Sequence, residues 1–197
     1  MNDKNVVIIG GGLGGLFTGA ILAKEGYRVT VLEKNAIIGG GLQTFRRMDE
    51  DFDTGIHVIA GMRPGGTIRR ICDYLGITPQ MQLRDVDDDC ADELFFLEDR
   101  ATYRIACGRQ GFVDSLLKSF PDCRDELTAY ADALYRMTDA IDLFNLRPAP
   151  SVLTEMPPQA LMAADAFIAQ YVHGPKLRSV LAYMNPLYGG QAGRTPA

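Results

Sequence analysis

Residues 6–33, VVIIGGGLGGLFTGAILAKEGYRVTVLE, constrain the fold more tightly than any other stretch of the chain. A β-branched run (Val6, Val7, Ile8, Ile9) breaks into Gly10-Gly11-Gly12-Leu13-Gly14-Gly15. A helix-period segment then runs to Lys24, with a stop at Gly26. A second apolar run over residues 29–32 ends in Glu33. Strand, glycine turn, helix, strand and acid follow the order of the βαβ unit that binds the ADP half of a dinucleotide. Gly10 permits a tight exit from the strand. Gly12 leaves the backbone free to approach a pyrophosphate, and Gly15 lets the helix pack against the sheet. The pyrophosphate would meet unpaired N–H groups and the positive end of the helix dipole. Glu33 is placed to accept hydrogen bonds from both ribose hydroxyls, and its charge disfavours a 2′-phosphate there.

Residues 6–23 carry no charge, so a signal peptide and a membrane helix are the competing readings. A signal peptide wants a basic N-terminal region and a small-residue cleavage site, whereas Asp3 and Lys4 cancel. A spanning helix rarely opens on clustered glycines. No leader and no transmembrane span are expected. The 197 residues suffice for one large domain or parts of two, and 47% hydrophobic with 23% charged residues is ordinary for a globular protein. A net charge of −5 and the absence of a basic, aromatic-interleaved patch argue against a nucleic-acid partner. Cys72, Cys90, Cys107 and Cys123 form no CxxC pair and there are two histidines, so no metal site and a cytoplasmic, reducing setting are expected.

The segment after Glu33 separates a flavin from a nicotinamide. A plain nicotinamide fold would continue with another crossover and a third buried strand. Instead Lys34 leads to Gly39-Gly40-Gly41, a polar stretch, and then Phe52-Asp53-Thr54-Gly55-Ile56-His57. Two glycine-lined approaches close in sequence suit a long, extended ligand held by backbone, such as FAD.

These segments, GGGLGG, VLEKNAIIGGG and FDTGIH, resemble the N-terminal part of the phytoene desaturase and retinol saturase-like family within the flavin amine-oxidase superfamily. The resemblance is strong over residues 5–60 and faint beyond, although GRQGF at 108–112 is similar in outline. It implies an α/β fold with a Rossmann-like FAD-binding domain and the start of an α+β substrate domain. By position it implies that Gly10, Gly12, Leu13, Gly14 and Gly15 line the FAD pyrophosphate. Glu33, with Lys34 beside it, would hold the adenosine ribose. Gly39, Gly40 and Gly41 would pass the ribityl and pyrophosphate region, and Gly55, Ile56 and His57 would lie near the flavin ring. Amine oxidases commonly carry arginine where this chain has Gly41, which leans toward the retinol-saturase branch. The resemblance also implies a substantially longer protein whose C-terminal segment completes the cofactor site, so that this sequence is expected to be a truncated form or fragment.

The first domain is expected over residues 1–78 and part of the substrate domain over 79–197. Residues 62–76 have helical spacing with Ile68, Ile71, Cys72 and Leu75 on one face, Arg69 and Arg70 solvated on the other, and Gly76 as the stop. Short strands at 92–97 and 102–106 flank the polar turn Glu98-Asp99-Arg100 and form an antiparallel hairpin. Asp85, Asp87, Asp88 and Asp89 lack the glycine and terminal glutamate of a calcium loop, so a solvated loop is expected. Helices are expected at 112–120, 122–144 (with Pro121 in its first turn), 159–173 and 175–184, with a proline loop at 148–158. On the 159–173 segment, Leu161, Ala164, Phe167, Ile168 and Tyr171 share a side. These stripes are read as core, with an isoprenoid tunnel or a membrane-dipping patch as the alternative.

No nucleophile–base pair, metal set or acid–base dyad stands out, which fits a flavoenzyme whose cofactor carries the chemistry. His57 is the one titratable group in the cofactor segment, with proton donation, ring tuning and a packing role all open. His173 is expected to cap or close a helix. Tyr183, Tyr188 and Arg194 are assigned no role. Three functional readings follow. One is an FAD-dependent oxidoreductase on carbon–carbon double bonds of a hydrophobic polyene, with peripheral membrane contact as an option. The others are an amine oxidase of the same fold and a catalytically incomplete cofactor-binding fragment.

Overall fold

β-Branched residues at alternate positions set the first two strands, β1 (Asn5–Ile9) and β2 (Arg28–Leu32), which pair in parallel with Val6 opposite Val29 and Ile8 opposite Val31. Between them runs α1 (Leu13–Lys24), and Gly26 turns the chain back at φ 87°. The computed structural model describes residues 4–148, 156–185 and 189–197, so Pro150 and Tyr188 lie outside the described residues. The chain divides into two compact units, Met1–Gln82 and Leu83–Ala197.

In the first unit, α1 lies so close over the strands that a Cβ on Gly19 would touch Ile8 and Val31 at 3.4 Å and Val29 at 3.5 Å. An antiparallel hairpin follows that the sequence reading took for a polar stretch: β3 (Thr44–Arg47) and β4 (Glu50–Asp53). Its two-residue turn puts Met48 at φ 50° and Asp49 at φ 62°, the left-handed pair that usually needs glycine or asparagine. Phe45 stacks on Phe52 across the strands at 5.5 Å. The helix expected from residue 62 is shorter, α2 (Thr67–Leu75), because Gly66 folds back on a turn, donating to the Arg63 carbonyl at 2.8 Å. A Cβ on Gly66 would collide with the Gly61 carbonyl oxygen. The stop at Gly76 (φ 77°) and the burial of Cys72 follow the expected pattern, and Arg69 pairs with Asp73 at 2.9 Å.

In the second unit, β5 (Asp92–Phe96) and β6 (Ala101–Ile105) form the expected antiparallel hairpin, each strand ending one residue earlier than read. Next come α3 (Arg109–Leu117), a 3-10 turn at Pro121–Cys123, α4 (Arg124–Asp139) and α5 (Asp142–Asn145). A 3-10 turn at Pro158–Leu161, α6 (Ala164–Tyr171) and α7 (Pro175–Leu181) complete it. Leu116, Leu127, Phe167, Val172, Leu177 and Val180 form its fully buried centre, with Tyr103 and Ile105 joining from β6.

The helix boundaries differ from expectation at several points: α3 ends at Leu117 rather than 120, α4 starts at Arg124 after the 3-10 turn rather than at 122, α6 ends at Tyr171 rather than 173, and α7 ends at Leu181 rather than 184. α3 starts at Arg109 rather than 112, because Gly108 at φ 74° makes the break immediately before it. The long helix to 144 ends at Asp139. There the Asn145 amide donates to the carbonyls of Thr138, Asp139 and Ile141, and Arg147 caps Asp139 at 2.7 Å. The helix expected from 159 begins at Ala164, because Ala163 bridges Pro196 and the neighbouring amides bond Thr195 and Met162 carbonyls. Leu161 is accordingly 70% exposed rather than on the apolar face. Among the described residues, no helix is long and apolar enough to cross a membrane.

Candidate dinucleotide-binding site

The glycine turn between β1 and α1 is the centre of the site. Gly10 leaves β1 at φ 105°, a conformation open to glycine, and its N–H bonds the Leu32 carbonyl at 2.7 Å. A Cβ on Gly15 would collide with the Gly10 carbonyl oxygen, so this glycine permits the close passage of helix over turn. Gly12 is the N-cap of α1 with no side-chain cap, leaving the first-turn N–H groups and the dipole's positive end facing outward. A Cβ on Gly14 meets nothing within 4 Å, and Leu13 is half-buried at the helix start.

Glu33 closes the other side. Its Oε2 accepts the Gly11 N–H at 2.7 Å and its Oε1 accepts the Asn35 N–H at 2.8 Å. The Asn35 and Gly11 amides hold the carboxyl below the usual carboxylate range, so it is charged at neutral pH. Two bonds leave each oxygen a lone pair for a further donor. Sequence reasoning passed over Gly11, the variable position of GxGxxG. It bonds Glu33 through its N–H, and its carbonyl accepts the Gly39 N–H at 2.7 Å. The glycine triplet was the available signal: a Cβ at Gly11 would lie 3.3 Å from both Cβ and Oε2 of Glu33.

The second glycine run packs onto the first. Gly12 and Gly39 form a parallel bridge, and Gly39 (φ 117°) and Gly40 (φ 58°) adopt left-handed backbone. A Cβ on Gly40 would lie 3.1 Å from the Gly12 Cα. The Gly41 carbonyl accepts the Ile56 N–H at 3.1 Å, and a Cβ on Gly55 would approach it at 3.2 Å. Residues 10–12, 15, 39–41 and 55–56 therefore meet through backbone contacts, and the Glu33 carboxylate joins them through the Gly11 N–H. Lys34 contributes an exposed side chain beside Glu33. His57 is exposed, with Nδ1 3.5 Å from Asp53 Oδ2, so in this chain its ring is solvated rather than packed.

His173 follows α6 and binds across to α4, its N–H and Nδ1 at 3.2 and 2.7 Å from the two oxygens of Glu126, rather than capping a helix. That bond holds the Glu126 carboxyl below its usual range. Tyr183 donates to Asp92 at 2.9 Å.

A family model described as an NAD(P)-binding Rossmann-like domain matches residues 8–75. The chain is 30% identical over 202 residues to the all-trans-retinol 13,14-reductase of Rattus norvegicus, covering 94% of this chain and 33% of that one. Prolycopene isomerase 2 of an Oncidium hybrid cultivar is 28% identical over 145 residues, 74% of this chain and 24% of its own. A 15-cis-phytoene desaturase of Narcissus pseudonarcissus is 32% identical over 81 residues, 41% of this chain and 14% of its own. The chain is homologous to the N-terminal part of these retinol saturase and phytoene desaturase-like proteins. It spans about one third of the length of the retinol reductases it matches. Among solved structures, putrescine oxidase bound to putrescine superimposes with a TM-score of 0.59 at 13% identity, over 98% of this chain and 40% of that one. That likeness is one of fold, and it agrees with the α/β, Rossmann-like architecture described above.

Proposed function

We propose that the cradle binds FAD and that the whole protein is an FAD-dependent oxidoreductase acting on carbon–carbon double bonds of a hydrophobic isoprenoid or polyene. The observation that carries the reading is the double glycine cradle: Gly39 and Gly40 lie against Gly11 and Gly12 at distances a side chain would fill. A ligand whose pyrophosphate and extended linker both run along bare backbone fits such a cradle. The names of the homologues support the substrate class and the choice among reductase, desaturase and isomerase chemistry.

In this reading residues 1–78 are the first part of the FAD domain and residues 79–197 part of a substrate domain. Gly12, Leu13, Gly14 and Gly15 present the α1 N-terminus to the pyrophosphate. Glu33, prealigned by the Gly11 and Asn35 amides, accepts the ribose hydroxyls, with Lys34 beside it. Gly39, Gly40 and Gly41 keep the linker path clear, and Gly55, Ile56 and His57 lie toward the ring end. When bound, the flavin supplies the hydride and electron chemistry that no side-chain dyad here provides. Such a substrate would be collected by peripheral contact with a membrane surface.

The test is the visible spectrum of the purified chain, with and without added FAD, followed by competition with NAD+ and NADP+. Retained FAD that neither nicotinamide displaces is the expected result. Preferential capture of a nicotinamide dinucleotide overturns the flavin assignment.

A further inference from the structure

A cavity of about 190 Å3 lies in the second unit, between the last two turns of α4, the 3-10 turn at Pro158–Leu161 and α6. Its floor is apolar, because Ala133, Met137 and Phe167 line it and all three are buried. Its polar groups come from Arg136 and Gln159, both exposed, and from the half-buried Tyr171. None of these three side chains is hydrogen-bonded or ion-paired among the described residues. In this Arg136 differs from Arg69, Arg104, Arg109 and Arg147, each of which pairs with a carboxylate.

The charge around the cavity has one sign. No carboxylate lines it, so the Arg136 guanidinium is its one formal charge. The acids next along the chain are already engaged: Asp139 pairs with Arg147 at 2.7 Å, and Asp142 lies 4.0 Å from the same guanidinium. The negative end of α4 is also countered, since the Asn145 amide donates to the Thr138 and Asp139 carbonyls. A guanidinium fork matches the two oxygens of a carboxylate, and the Gln159 amide and Tyr171 phenol add further donors. The volume falls below the roughly 300 Å3 of drug-sized sites, which limits the occupant to about one ring. Phe167 and Tyr171, edge to face at 5.4 Å, offer such a ring an aromatic wall.

We propose that this cavity binds a small monocarboxylate with an aromatic or compact apolar body. The carboxylate bonds Arg136, and the body rests on Met137 and Phe167. The site belongs to the second unit, uses none of the glycine cradle and stands independently of the flavin reading.

The test titrates the full 197-residue chain, labelled with 15N, at neutral pH with benzoate and with benzamide, its uncharged counterpart. Saturable benzoate shifts are expected at the Arg136, Gln159 and Tyr171 amides. Benzamide should bind about tenfold more weakly, the effect of losing a charge-assisted hydrogen bond. Arg136→Gln should bring benzoate down to the benzamide level, and Arg136→Lys, which keeps the charge, should retain part of the difference. Because Arg136 is exposed and unpaired, both variants should keep native circular dichroism. Added salt should weaken benzoate and leave benzamide unchanged. Equal affinities for the two ligands overturn the proposal, as does a benzoate preference that survives Arg136→Gln. Shifts confined to residues 12–15 would put the anion on the α1 N-terminus and overturn it as well. So would a folded chain with no saturable shift at Arg136 and Gln159. FAD uptake is read separately, so failure here leaves the flavin reading untouched, and failure of that reading leaves this site standing.

Discussion

The two units are held in shape by different means. Residues 83–197 have a continuous core in which Phe167, Leu116, Leu127 and Val180 are nearly or wholly inaccessible. Among the described residues of 1–82 one hydrophobic side chain, Cys72, is fully buried, while Ile9 is 89% and Val7 61% exposed. Their form comes from strand pairing, from glycines that allow backbone against backbone, and from the carboxylate of Glu33 on two amides. Side-chain packing specifies the second unit; backbone geometry specifies the first. A cradle for an extended ligand benefits from the second arrangement, because a side chain at its lining would occupy the ligand's place.

The contrast breaks first under Phe167→Ala. Removing a ring in contact with Tyr130 and Tyr171 should cost about 3–5 kcal/mol, read by denaturant titration of near-ultraviolet dichroism. Amide exchange in β1 should be unchanged, and a parallel loss there would show that the units do not stand apart. In the first unit, Gly15→Ala forces a methyl onto the Gly10 carbonyl and should cost about 1–3 kcal/mol, measurable as lost β1 and α1 protection. Gly14→Ala, whose Cβ meets open space, should match or slightly exceed the unaltered chain in stability. If both alanines behave alike, close backbone approach is not what shapes the cradle.

Two titrations sharpen the same comparison at smaller amplitude. Unfolded tyrosine ionises near about 10. Tyr130 is pushed up to about 12, so folding favours its neutral form and stability declines as pH climbs between those values. At 295 nm Tyr130 should contribute to a late-ionising phase in the native chain, alongside Tyr74, which its bond to Glu25 also pushes up, and Tyr130→Phe should diminish that phase. Glu33 has the opposite sign. Its folded value is depressed, so its contribution is present above the ordinary carboxylate range and lost as pH falls through the lowered value. The Gly11 amide resonance should follow that titration, and Glu33→Gln should flatten it. A Gly11 amide indifferent to acid in the unaltered chain would mean that Glu33 is not its partner.

The βαβ unit was legible because strand period, glycine spacing and terminal acid reinforce one another within residues 5–33. The β5–β6 hairpin was legible from alternation around a polar turn. The β3–β4 hairpin was not, since Met48 and Asp49 adopt positive φ without a glycine to announce it. Helix ends failed where distant or side-chain partners decide them, Asn145 on the end of α4 and residues 195–197 beside the start of α6. Of the candidate site, the glycines and Glu33 were readable as a motif, whereas the role of Gly11 emerged only with the fold.

The bond from Gly39 to Gly11 has a consequence for how the molecule is made. Every backbone contact that shapes the cradle, from the Gly10–Leu32 bond to the Ile56–Gly41 bond, is closed within the first 56 residues. Contacts of such short sequence separation carry small loop-closure costs. A ribosome that has released this much chain has released the whole cradle, ahead of every residue of the packed second unit.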